Sequence, residues 1–196
     1  MTLDILAALS LFAFVSSITP GPNNLMLMAS GANYGFNRTI PHMLGIGIGF
    51  TIMLFLVGIG LLTLFDAIPY SYETLKVASV LYLCWLAWKV ATAVAPEQSS
   101  RKGKPFSFLQ AAMFQWINPK AWTMALSAFT LYAPDRSLYS VLLVSLVFGI
   151  VNIPSISAWT LIGQKMQAIL TNPTRLMAFN YAMAVLLIAT LIPVIL

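Results

Sequence analysis

Charge is scarce in this 196-residue chain: 8% of its residues are Asp, Glu, Lys or Arg, where a soluble domain carries about a quarter. That deficit excludes a water-coated globular surface and a disordered tail. Ten basic residues against five acidic ones are also too few for a basic patch, so a nucleic-acid partner is excluded. One cysteine, Cys84, rules out a disulfide scaffold and any cysteine-pair metal site. One histidine, His42, rules out multi-histidine zinc motifs. No cofactor is expected. What the chain has in quantity is apolar side chain, 60% of residues, with a mean hydropathy of +0.88. The composition is that of an integral membrane protein, with the lipid bilayer as its first partner.

A helix needs about 20 mostly apolar residues to cross a hydrocarbon core of about 30 Å. Six stretches qualify: 3–30, 39–65, 74–94, 106–131, 138–163 and 176–196. Runs such as Met53-Leu54-Phe55-Leu56-Val57 are apolar on every side, which fits helices rather than the alternating strands of a membrane barrel. The first stretch has no basic n-region and outruns the usual h-region of a signal peptide, so it is expected to stay in the protein. Lys89 lies near the end of the third, where its ammonium can reach the headgroups.

Loops after the odd spans hold Arg38, Arg101, Lys102, Lys104, Lys165 and Arg175 against Glu97. Those after the even spans hold Lys76 and Arg136 against Asp66, Glu73 and Asp135. The positive-inside rule then places the odd loops in the cytoplasm and both termini outside. Tyr70, Tyr72, Tyr132 and Tyr139 flank the even loops as an interfacial belt.

Thr19-Pro20 falls within the first span and Asn118-Pro119 within the fourth, about half the chain apart. The polar segment 96–105 lies between the halves. The expected fold is all-α, with six transmembrane helices as two three-helix repeats, 1–95 and 106–196, joined by a cytoplasmic linker at 96–105. An odd number of spans per half inverts the second repeat. This is the layout of secondary transporters whose site lies at the midplane between broken helices.

Both motifs break a helix for a stated reason. Pro20 and Pro22 lack an N–H and clash with the carbonyls of Ser16 and Ile18, and Gly21 adds freedom between them. Orphan backbone groups in hydrocarbon cost several kcal/mol, so such a break must sit in protein or beside a wet cavity. A helix restarting near Asn23 and Asn24 offers bare N–H groups and a positive dipole end to a carboxylate. The freed carbonyls suit an ammonium. In the fourth span Pro119 frees the carbonyl of Gln115 and is followed by Lys120. A central lysine costs about 2.5–3.5 kcal/mol on insertion scales and marks function by default. No acid lies deep in any span, which leaves an anion, a carbonyl or water as its partner. The candidate binding residues are Thr19, Pro20, Gly21, Pro22, Asn23, Asn24, Asn118, Pro119, Lys120 and, beside Pro154, Asn152, which either lines the cavity or bonds across helices.

Other features have plainer readings beside the functional ones. Gly45 and Gly49 share a helix face that fits close packing or a homo-oligomer contact. His42, after Pro41 at an expected first helical turn, reads as a solvated interfacial histidine or, alternatively, a proton-coupling group. Trp85, Trp88 and Trp159 read as interfacial anchors.

Thr19-Pro20-Gly21-Pro22-Asn23, the glycines of the second span, Tyr82-Leu83 with Trp88-Lys89, and Asn118-Pro119-Lys120 together resemble the LysE/RhtB amino-acid exporter family over essentially the whole chain. The resemblance implies efflux of amino acids or close derivatives across a bacterial inner membrane, driven by the proton-motive force. The Pro-Asn-Asn continuation is similar to the branch exporting cysteine and O-acetylserine. Two other classes compete. An ion or metal carrier would need buried carboxylates that are missing here. An intramembrane enzyme lacks His-Glu-x-x-His and Gly-x-Ser-x-Gly motifs, which leaves only a Ser–Lys pair using Lys120.

Overall fold

The computed structural model describes residues 2–61, 63, 67–93, 104–133 and 137–192, all helix, turn or connection with no strand among them. Most of the expected linker 96–105 lies outside the described residues, as do Asp66, Glu97, Arg101, Lys102, Asp135 and Arg136.

Helix α1 (Leu3–Ile18) starts at Thr2, whose hydroxyl accepts from the Ile5 N–H. It stops where the prolines withdraw the donors that would continue it. Helix α2 (Pro22–Tyr34) restarts with Pro22 in its first turn, where the missing N–H is no loss. The axes of α1 and α2 differ by 55°. Gly35, at φ +79°, turns the chain straight into α3 (Phe36–Leu56); a side chain there would be strained. Helix α3 therefore begins a turn earlier than expected, and Pro41 lies inside it rather than in its first turn. Beyond it the chain kinks within Val57–Leu61, at Gly60 with φ +118°.

Helix α4 spans Ser71–Ala91. The second half opens with α5 (Phe108–Phe114), started by a reciprocal capping box between Ser107 and Gln110. A 3-10 turn at Gln115–Ile117 comes next, and then α6 (Pro119–Tyr132). Two further helices, α7 (Leu138–Met166) and α8 (Pro173–Ala189), complete the described chain.

Among the described residues three helical stretches are long and apolar enough to cross a membrane: Phe36–Leu61, Ser71–Ala91 and Leu138–Met166. The pair α1–α2 passes the same test only when its two helices are taken together, which fits either a broken span or a re-entrant loop. Helix α8 is shorter, and the α5–α6 segment is interrupted.

Packing is set by small residues. Helix α2 lies along α7, where any side chain added at Gly31 would strike the carbonyl of Thr160, and one at Gly163 the carbonyl of Met28. Helix α3 lies against α7 and α5. The Gly45–Gly49 face meets α5 of the same chain: a Cβ at Gly45 would strike the Phe108 carbonyl, and one at Gly49 would lie 2.6 Å from Ala112 Cα. The expected close packing is there, but the partner is internal, so this face is not open to a second copy. Helix α4 packs on α8, and α1 on α7. One apolar cluster gathers Leu9, Phe50, Trp122 and Phe148, another Leu25, Leu83, Phe114 and Met183. The first encloses α6 and the second encloses α2, so both restarted helices are held by core.

Candidate functional site

The two breaks meet. A hollow of about 30 Å³ lies between them, lined by Ser17, Gly21, Asn23, Asn24, Asn118, Lys120 and Asn152 with Phe50 and Met124. That volume is room for about one water. Of the residues expected at one site, Gly21, Asn23, Asn24, Asn118, Lys120 and Asn152 line the hollow itself. Pro20, Pro22 and Pro119 line a larger cleft of about 650 Å³ on the far side of the breaks, walled by Leu25, Trp159 and Leu186. Gly21 and Lys120 border both spaces. Thr19 is exposed and enters the site through its carbonyl.

That carbonyl is where the halves of the chain are tied. Lys120 Nζ donates to Thr19 O at 2.5 Å, across 101 positions of sequence. The lysine thus finds a carbonyl partner, one of the three its depth allowed. Its stem lies over Gly21, where an added Cβ would come within 2.6 Å of Lys120 Cδ and 3.1 Å of Nζ. Gly21 is extended (φ −172°), so close approach rather than backbone freedom is what it supplies here.

The freed carbonyls, expected to stay open for an ammonium, are mostly taken by the protein. Asn24 Nδ2 donates to Ser17 O at 2.7 Å and to Thr19 O at 2.9 Å. Trp159 Nε1 donates to Ile18 O at 3.0 Å. Trp122 Nε1 donates to Trp116 O at 2.8 Å in the second break, and the Asn118 N–H to Gln115 O at 3.3 Å. In hydrocarbon these donors replace the water that would otherwise satisfy a broken helix. Trp159 therefore corrects an expectation: it fastens the first break rather than anchoring an interface.

A second tie uses amides. Asn23 Nδ2 donates to Gln115 Oε1 at 2.8 Å and Gln115 Nε2 returns to Asn23 Oδ1 at 3.2 Å. Gln115 is fully buried, and the sequence marks it only for its carbonyl. Its position four residues before Pro119 is the one available signal.

The two restarted helices are not equivalent. Helix α6 is closed by its own N-cap, Asn118, whose Oδ1 accepts from the Lys120 N–H at 3.2 Å. Helix α2 has Gly21 as its N-cap and no side-chain cap. The N–H groups of Asn23 and Asn24 are thus the ones left for an anion. Polar groups without a protein partner also border the hollow. Ser17 Oγ is buried and unpaired, and the buried Asn152 amide has no hydrogen-bond partner among the described residues. Asn152 therefore takes the cavity-lining reading.

His42 is not brought to this site. It is buried, with no partner on either ring nitrogen among the described residues, and lines a separate cavity. The solvated interfacial reading fails because neighbouring helices and the Phe106 ring, 5.4 Å from it, bury the imidazole. Among the described residues no three His, Cys, Asp or Glu side chains come together.

The LysE type translocator family matches residues 14–192. A cysteine/O-acetylserine efflux protein of Escherichia coli O139:H28 is 32% identical over 193 residues, covering 96% of each chain. Its counterparts in Escherichia coli K12 and Shigella sonnei are each 31% identical over the same share of both chains. No solved structure matches. With its apolar helices and whole-length match, the chain belongs to the LysE type translocator family of multi-pass membrane proteins.

Proposed function

We propose that the protein exports small amino acids or their close derivatives, cysteine and O-acetylserine among them, across a bacterial inner membrane at the expense of the proton-motive force. The observation that carries this reading is the Lys120–Thr19 tie across a hollow fed by both helix breaks. In this reading the tie is a stand-in. The lysine ammonium occupies the carbonyl that a substrate ammonium would take, and the hollow beside it has room for about one water. An incoming zwitterion displaces Lys120 from Thr19. Its carboxylate is then met by the released lysine and by the bare N–H groups at the start of α2. Asn152, Asn118 and Ser17 supply the polar contacts that fix its orientation.

The architecture in this reading is six spans in two inverted repeats, 1–95 and 106–196, with 96–105 as a cytoplasmic linker and both termini outside. What supports it is the cross-pairing: α3 of the first half lies on α5 of the second, as α7 of the second lies on α1 of the first. Exchange of halves interchanges those two contacts. The interrupted α5–α6 segment answers the bent α1–α2 pair, and α4 answers α8. Proton coupling in this reading runs through His42, Lys120 or the substrate's own ionisable groups, the first two being the basic side chains enclosed among the described residues.

Proteoliposomes of the purified protein test the substrate class. With an imposed proton gradient they should move labelled O-acetylserine or serine at rates well above protein-free vesicles and lose that transport on collapse of the gradient. No movement of any amino acid in a broad panel would overturn the reading.

A further inference from the structure

A second polar space lies apart from the hollow. It is a cavity of about 460 Å³ where α2 and α4 end and the segment before α5 begins, bordered by Lys89, Lys104, His42, Tyr34 and Phe106. It sits at the basic end of the bundle, where the Phe36 N–H at the start of α3 meets Gln164 Oε1 near the end of α7 at 3.1 Å.

Three observations bear on its occupant. First, its charged walls are both cationic, with no Asp or Glu among the described residues that line it. A zwitterion would set its own ammonium against two lysines, so the charge selects a net anion. Secondly, Lys89 Nζ is held over the rings of Trp85 at 4.5 Å and Phe106 at 5.4 Å. Aromatic faces fix the cation without neutralising it. Thirdly, Trp85 and Trp88 are exposed on α4 beside it, at 43% and 69%, and in a membrane such rings sit at headgroup level. His42 adds a buried ring with no partner on either nitrogen among the described residues.

We propose that this cavity is a binding site for the phosphate of an acidic phospholipid. Lys89 and Lys104 take the phosphate charge, while the aromatic wall takes the start of the acyl chains. Basic pockets between membrane helices bind anionic headgroups by this combination. The site is independent of what the central hollow carries.

The test uses the full-length protein reconstituted in nanodiscs of equal phosphatidylglycerol and phosphatidylcholine, with retained lipid counted by native mass spectrometry. Each lysine near a headgroup is worth about fivefold in preference, so the pair predicts phosphatidylglycerol enrichment on the order of twentyfold. The exposed pair Lys89→Gln/Lys104→Gln should keep the fold and bring enrichment to near parity. Equal retention of the two lipids by the natural protein would overturn the proposal, as would enrichment unchanged in the double variant. Millimolar inorganic phosphate and serine form the remaining arms. Neither should displace the lipid, and displacement by either would make this a site for soluble anions or substrate instead.

Discussion

Lys120→Met is expected to leave the protein in the membrane and to cut its transport about 10- to 100-fold. Methionine keeps much of the length of the apolar stem and removes only the ammonium. Insertion should not suffer, because a lysine at this depth itself costs about 2.5–3.5 kcal/mol. What is lost is the cation that meets the substrate carboxylate once the lysine has been released from the Thr19 carbonyl. Hydrogen bonds to charged groups are worth about 1.5–3 kcal/mol, which sets the range of the effect. The check is the initial rate of O-acetylserine uptake into proteoliposomes matched for protein content. A rate equal to that of the natural protein would remove Lys120 from the site.

Gly21→Ala should impair transport to a similar degree by a different route. An extended residue accepts alanine without backbone strain, so the effect comes from space alone. The new methyl would lie 2.6 Å from Lys120 Cδ, so the lysine stem must shift to make room. Because both changes act through one contact, the Gly21→Ala/Lys120→Met double variant should be no worse than the more impaired single variant. Coupled neighbours show such non-additivity, whereas independent sites add. Rates for the four proteins decide it, and losses that multiply would mean that glycine and lysine serve separate steps.

Legibility in the sequence divides by range along the chain. Local chemistry dictates the breaks: Pro20, Gly21 and Pro22 cannot continue α1, and Pro119 must start α6 rather than extend α5. Lys120 is readable as well, because hydrocarbon offers a cation so few partners that a carbonyl had to be among them. Partners remote in sequence are not readable. Trp159 reaches Ile18 across 141 positions and Gln115 reaches Asn23 across 92. Composition says nothing of such contacts, and a tryptophan in a membrane chain reads by default as an anchor. The spacing of Gly45 and Gly49 signals a close approach but cannot name the partner. His42 turns on residues far along the chain: Phe106 covers its ring at 5.4 Å, and α3 itself starts three residues before the expected span. Where a helix begins depends on its tertiary neighbours as much as on local propensity, and its terminal turn is the part least fixed by sequence.

If the hollow between the breaks is wet and holds the transported zwitterion, a thiol placed there reports it directly. In a Cys84→Ser background, which removes the exposed native thiol, Asn152→Cys puts a reactive group on the wall of the hollow. The measurement is its rate of modification by a small charged methanethiosulfonate, with and without O-acetylserine, a ligand that carries no thiol of its own. Modification that O-acetylserine slows severalfold is the expected result. Ile150→Cys, on the outward face of the same helix, faces hydrocarbon and should not react with the charged reagent at all. Modification at position 152 that is indifferent to O-acetylserine, while transport of that compound persists, would contradict a substrate site between the breaks.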